Sequence, residues 1–307
     1  MQQTVLMTTS QGDATPLFRQ PKFMWTLVGI SAVPLWALWP LFAVISTGGM
    51  PTFQFFAITY AIGALTLFGF ASRRQFARQA GALRKKLWPT AMVVFGMLFS
   101  NYLFVLAAKY MPAAQANLIV YLWPVTVVIL AALLRLIRLR VRHVVSIAVA
   151  LTGAMVVVGP DVSGGTITGV ALAGVSGLVW ALFCVYRLWQ GPNAPDALMT
   201  GMGASAMIAA LLHFMMESTV VPEASAVLSA LLNGVVPLAI GNLAWDHGMR
   251  KGDKVLLAIA AYATPLASAL ILVAFGFATA TVGLLAGGGL IVAGGVISSR
   301  SRDADGV

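Results

Sequence analysis

The length of its nearly uncharged runs limits this chain more than any other feature. Ten apolar stretches follow one another at 24–44, 50–72, 87–108, 112–135, 143–159, 166–188, 196–216, 226–248, 254–275 and 279–298. A helix needs about 20 mostly apolar residues to cross the hydrocarbon core of a bilayer, and most of these runs have that length. Only 9% of the 307 residues are charged, against roughly 25% in a domain whose surface faces water. The natural solvent of such a chain is the lipid bilayer. In lipid, backbone amides and carbonyls must pair inside a helix or around a closed barrel, and runs this continuous are too long for barrel strands. The sequence therefore predicts an all-α polytopic membrane protein with ten transmembrane helices, consecutive ones antiparallel.

The charges between the runs set an orientation. Arg19, Lys22, six positives from Arg73 to Lys86, four from Arg135 to Arg142, Arg187, Arg250, Lys251, Lys254, Arg300 and Arg302 fall on one side. That is 18 of the 19 Lys and Arg, with only Lys109 opposite. Positive loops stay cytoplasmic. Both termini are expected there, 1–23 and 299–307 forming cytoplasmic tails of a protein in a bacterial inner membrane. Residues 1–23 are polar and run into the first apolar stretch, unlike a cleaved signal. The net charge of +10 is confined to short loops, without a basic recognition helix or an interleaved aromatic platform, which argues against nucleic acid as a partner. A single cysteine, Cys184, excludes an internal disulfide, and His143, His213 and His247 lie far apart in sequence. Neither a metal nor a cofactor is expected.

The two halves repeat with an offset of 141 residues. SNYLFVLAAK at 100–109 falls on GNLAWDHGMR at 241–250, matching Asn101 with Asn242. Tyr121 and Pro124 fall on Tyr262 and Pro265, and Gly153 on Gly294; WALW at 36–39 resembles WALF at 180–183, offset by 144. Each unit, 24–159 and 160–298, holds five runs. An odd number makes the second unit enter from the opposite side, which gives two inverted five-helix repeats. Inverted repeats characterise alternating-access carriers with a site near the midplane, and a complete internal repeat removes the need to dimerise, pointing to a monomer.

Paired Asn in the third and eighth runs, paired Pro in the fourth and ninth, and Gly-rich fifth and tenth runs resemble EamA-type members of the drug/metabolite transporter superfamily. The aromatic VYLWPV (120–125) and WALW (36–39) stretches are most similar to its aromatic amino-acid exporter branch. The resemblance covers residues 24–298 and implies export. One departure stands out. Many relatives carry a Gly-Glu pair after the fourth and ninth runs, where this chain reads LLRLIRLR and AFGFATAT, so no role of that glutamate carries over.

Proline at 124 or 265 cannot donate to the carbonyl four residues back, at Val120 or Ala261. A bare carbonyl at membrane depth is tolerated where protein or a cavity satisfies it, and a cargo ammonium is one such partner. Asn117, Tyr121 and Pro124 share a helix face, with Trp123 about 200° from Tyr121 in a straight helix. Trp36, Trp39 and the counterpart Trp180 are mid-run aromatics, able either to pack or to stack on a ring-bearing cargo. Asn101 and Asn242 are either hydrogen-bonding stations or interhelical glue. The expected binding set is Trp36, Trp39, Asn101, Tyr121, Trp123, Pro124, Trp180, Asn242, Tyr262 and Pro265, around a central aromatic-lined cavity.

No acidic or basic residue lies deep in a run, where it would be functional by default. Asp246 has Arg250 at i+4, and His213 has Glu217 at i+4. The missing charges favour a neutral or zwitterionic cargo with a large apolar part, an aromatic or amphipathic amino acid, over a cationic drug. A broader exporter of lipophilic metabolites is the second reading. An enzyme would need a nucleophile with a base, paired acids or metal ligands, and the chain has neither HExxH nor GxSxG. A receptor subunit has no use for two-sided symmetry.

Overall fold

A backbone in lipid has only itself to bond, and among the described residues every regular element is a helix. The computed structural model describes residues 21–70, 83–135, 141–158, 164–190 and 197–299. Both expected tails, apart from residues 21–23 and 299, and most of the Arg- and Lys-rich loops lie outside these.

The first rod is built from α1 (Pro21–Ile30), α2 (Ala32–Ala37) and α3 (Trp39–Gly49), followed by α4 (Thr52–Phe70). Next, α5 (Leu83–Val93) continues through a π-helical segment, Val94–Phe99, into α6 (Ser100–Ala107). Then come α7 (Ala113–Val120), α8 (Trp123–Leu133), α9 (Val141–Val158), α10 (Gly164–Gln190) and α11 (Leu198–Met216). A second π-helical segment, Gly234–Gly241, joins α12 (Ala224–Asn233) to α13 (Asn242–Lys251). Last are α14 (Lys254–Ala261), α15 (Thr264–Ala274) and α16 (Val282–Ser299). Among the described residues six stretches are long and apolar enough to cross a membrane: 22–49, 52–70, 87–107, 166–187, 198–216 and 224–249. Shorter apolar helices occupy Ala113–Val127, Val144–Val157, Thr264–Ala274 and Val282–Ile297.

The outside is apolar and the inside partly polar, as lipid requires. Phe214 and Val282 are 78% and 85% exposed, whereas Ser176, Ser205, Ser268 and Asn233 are fully buried. The main core gathers Phe53, Phe55, Phe56, Tyr60, Met97, Phe104 and Met202. Helices pair as α9 with α16, α4 with α11, α6 with α10, α1 with α13, α3 with α12 and α7 with α15. Between lipid-embedded helices burial of apolar surface gives little drive, so close packing of small residues decides contact. The α9–α16 seam has this build. A Cβ at Gly153 would lie 2.6 Å from the Gly287 carbonyl oxygen, and one at Gly294 would lie 2.8 Å from the Ala150 Cβ. Ser146 Oγ also donates to the Gly294 carbonyl at 2.7 Å.

Two irregularities recur in the second half, the π-segments starting 140 residues apart and the breaks 141. The π-helical segments begin at Val94 and Gly234, and the fourth and ninth runs break at Tyr121–Leu122 and Tyr262–Ala263. In the second π-segment the cause is local: Pro237 lies inside it, and a wider turn accommodates a ring that an α-turn would press against the preceding carbonyls. In the first, Gly96 packs directly against the Phe183 ring.

Candidate functional site

The paired prolines act differently from a kink inside one helix. α7 already stops at Val120, Tyr121 and Leu122 form a turn, and Pro124 falls in the first turn of α8. Pro265 has the same place at the start of α15. An amide there has no helical partner to lose, so proline fixes where the second helix starts. The Val120 carbonyl is indeed left without its helical partner, and it points at α10: a Cβ on Gly177 would lie 2.7 Å from its oxygen. Only a glycine lets α10 approach that closely.

The break separates Tyr121 from Trp123, as their angular spacing predicted. Tyr121 reaches across to Thr264 at the start of α15. No well-formed hydrogen bond closes there, because Thr264 Oγ1 is buried without a partner among the described residues. One turn away Asn117 Nδ2 donates to Ser268 Oγ, and Ser268 Oγ donates to the Pro265 carbonyl at 3.0 Å. The α7–α15 crossing is thus a polar seam between the two broken runs. Trp123 turns to α10 instead, edge-on to Trp180 at 6.5 Å between centroids, with Phe183 5.5 Å beyond.

The remaining expected residues divide among several contacts. Trp36 packs on Trp245 at 5.0 Å and its indole nitrogen lies against Gly241, next to Asn242. Trp39 meets Phe104 edge-on at 5.0 Å. Asn101 Nδ2 donates to the buried Tyr60 hydroxyl at 2.9 Å, joining α6 to α4. Asn242 instead bonds within its own helix, to the Leu238 carbonyl at 2.8 Å and the Pro237 carbonyl at 3.4 Å, serving the ladder that the π-turn disturbs. Tyr262 packs against Gly295 of α16. The sequence reading missed the Thr264 and Ser268 partners, whose signal was a hydroxyl on either side of Pro265.

Both ends of the bundle carry further polar contacts. Near residue 21, Trp25 stacks on His247 at 5.6 Å, with Lys251 Nζ 4.1 Å from its ring centroid. There a Cβ on Gly248 would lie 2.5 Å from the Gly29 Cα, and Thr26 Oγ1 accepts the Asp253 amide at 2.8 Å. At the opposite end His213 Nδ1 donates to Glu217 at 2.9 Å, as the i, i+4 spacing predicted, and His213 Nε2 meets Thr219 at 2.8 Å. Glu217 also accepts the Phe53 and Gln54 amides at 3.1 and 3.2 Å, capping α4. Beside it a cavity of about 190 Å³ is lined by Thr52, Phe53, Tyr102, Leu106, Lys109 and Glu217. Among the described residues no His, Cys, Asp and Glu cluster could hold a metal.

A lipid-facing helical bundle with small-residue seams and buried neutral polar groups is the build of a multi-pass membrane transporter, and the chain belongs to the EamA-like transporter family, which matches residues 23–159. It is a transporter, not an enzyme. The chain is 33% identical over 282 residues to the Aromatic amino acid exporter YddG of Ancylobacter novellus, covering 89% of this chain and 96% of that protein. It is 24% identical over 265 residues to the Aromatic amino acid exporter YddG of Escherichia coli strain K12, covering 79% and 85%. A crystal structure of a protein 30% identical superposes with a TM-score of 0.66 over 92% of this chain and 99% of that one.

Proposed function

We propose that this protein exports aromatic and related amphipathic neutral amino acids by alternating access. The observation that carries the cargo is the 33% identity, over nearly the full length of both chains, to an exporter named for aromatic amino acids. The residues support it. The crossing of the broken runs offers the Tyr121 ring, an unpaired Thr264 hydroxyl and the Trp123–Trp180–Phe183 cluster nearby on α10, with no fixed charge. An aromatic ring stacks or meets these faces edge-on for about 0.5–1.5 kcal/mol each. The zwitterion's ends take neutral dipoles: its ammonium a backbone carbonyl, its carboxylate a hydroxyl or amide. Dipolar partners satisfy a zwitterion without the desolvated ion pair that would hold it in place.

The alternation reading takes the six long and four shorter helices as ten crossings, in two inverted units at 24–159 and 160–298. The helix pairing supports it. Exchanging the units maps the α1–α13 pair onto α10–α6 and maps α4–α11 and α9–α16 onto themselves. The π-segments and the breaks, which recur 140 and 141 residues on, support it again. Both termini then face the cytoplasm of a bacterial inner membrane, and one chain forms the whole carrier.

The test is flux of labelled phenylalanine, tryptophan, alanine and lysine in liposomes containing the purified protein alone. Phenylalanine and tryptophan should move fastest and lysine slowest. Tyr121→Ala and Trp123→Ala should each lower phenylalanine flux several-fold, with Asn101→Ala milder because its amide is tied to Tyr60. Equal rates for alanine and phenylalanine would refute the aromatic cargo and leave the broader-exporter reading.

A further inference from the structure

Lys109 is the one cation that falls opposite the other 18, and it lines the cavity at that end together with Glu217. The two charges form no ion pair with each other, and Lys109 forms none with any other described residue. Glu217 is held from behind. Its Oε2 takes the Gln54 amide and His213 Nδ1, while Oε1 takes only the Phe53 amide, which it shares with Oε2. An ionised carboxylate has about four acceptor positions, so Oε1 keeps one for another donor. Its orientation is already fixed, and a ligand that binds there does not have to order it. Phe53 and Tyr102 line the same cavity, their rings stacked at 5.1 Å and 13°.

We infer that this cavity is a second binding site, for a zwitterionic aromatic amino acid at the mouth of the protein, distinct from the α7–α15 crossing. The ligand ammonium meets Glu217 Oε1, its carboxylate meets the Lys109 ammonium, and its side chain lies against the Phe53–Tyr102 face. A separated pair of opposite charges selects a ligand that carries both, since a ligand with one leaves the other wall charge unanswered. A volume near 190 Å³ holds one such molecule. In the proposed orientation this mouth is external, so the site would hold cargo after release, or take it up from outside. The aromatic occupant rests on the cargo proposed above; the two-charge geometry does not.

The experiment uses the full chain, purified in detergent, carrying Leu106→Cys in a Cys184→Ser background. The rate of maleimide modification at position 106 is read against added L-phenylalanine, L-alanine and phenethylamine. Phenylalanine should slow modification several-fold. Alanine, without the ring, and phenethylamine, without the carboxylate, should protect far less. Lys109→Gln, an exposed site whose change spares the Glu217 cap, should raise the half-protecting phenylalanine concentration about tenfold, a loss of about 1.4 kcal/mol. The same protein is assayed for phenylalanine flux in liposomes. Flux without protection, or protection of equal affinity in Lys109→Gln, overturns the site and leaves the cargo reading intact. Lys109-dependent protection without flux upholds the site and refutes the cargo reading. Neither flux nor protection overturns both.

Discussion

Gly177 and Gly174 lie one turn apart on α10, and replacing each with alanine isolates one contact. At Gly174 an added Cβ meets nothing within 4 Å; at Gly177 it meets the Val120 carbonyl oxygen at 2.7 Å. A carbon normally rests about 3.3–3.6 Å from a carbonyl oxygen, so α10 and the end of α7 must part by roughly 0.6–0.9 Å. Overpacking of that kind costs about 1–3 kcal/mol, and here the obstacle is backbone, which cannot rotate aside. Both substitutions gain the helix preference of alanine over glycine, about 1 kcal/mol, and that shared gain cancels in the comparison. Gly174→Ala should therefore match or exceed the parent in stability, with Gly177→Ala about 1–3 kcal/mol below it. Thermal loss of the monodisperse peak in size-exclusion chromatography, scored for both variants in one detergent, gives the ranking. Because Val120 immediately precedes the break, Gly177→Ala should also lower phenylalanine flux per folded molecule. Equal melting of the two variants would refute the close approach of Gly177 to the Val120 carbonyl.

Other consequences can be checked independently. Reporters fused at Gly81, Arg138 and the C-terminus should read cytoplasmic and one at Gly48 external; the opposite pattern at Gly48 and Gly81 would invert the proposed topology. Asn233 is fully buried with neither amide atom bonded among the described residues, so the near-isosteric Asn233→Leu should raise stability by about 1–3 kcal/mol in thermal denaturation, whereas a drop would show that water satisfies the amide. Pro124→Ala lets α7 and α8 join through a restored amide, so flux should fall while the melting temperature holds; lost folding with normal specific activity would make the proline a packing residue.

The apolar runs made the helical membrane class legible, because a bilayer leaves a backbone few choices. The pairing of His213 with Glu217 was legible too, since i, i+4 residues share a helix face. Asn101 and Asn242 were legible only as two alternatives, hydrogen-bonding station or interhelical glue. Each follows a π-segment, and one surplus residue turns everything beyond it by about 100°, so the run alone does not say which neighbour each amide meets. The equivalent amides then do different work, one across to Tyr60 and one back into its own helix. Tyr262 escaped for another reason: its resting place depends on Gly295, and no local pattern says which distant glycine lies opposite. Trp123 and Tyr121 fared better. Their divergence follows from angular spacing alone, and the break preserves it.

The contact of Gly29 with Gly248 also bears on how fast the molecule can move. Side chains that interlock must find their rotamers again each time two helices meet, and long ones lose up to about 2 kcal/mol of conformational entropy in doing so. Glycine has no rotamer to find. Where these two backbones touch, separation and return require only that the helices part and come together. Trp25, a rigid ring with two side-chain torsions, adds little to the search. An end of the bundle closed in this way has little conformational search in its rate of closing, which suits a contact broken and remade under the alternating access proposed above.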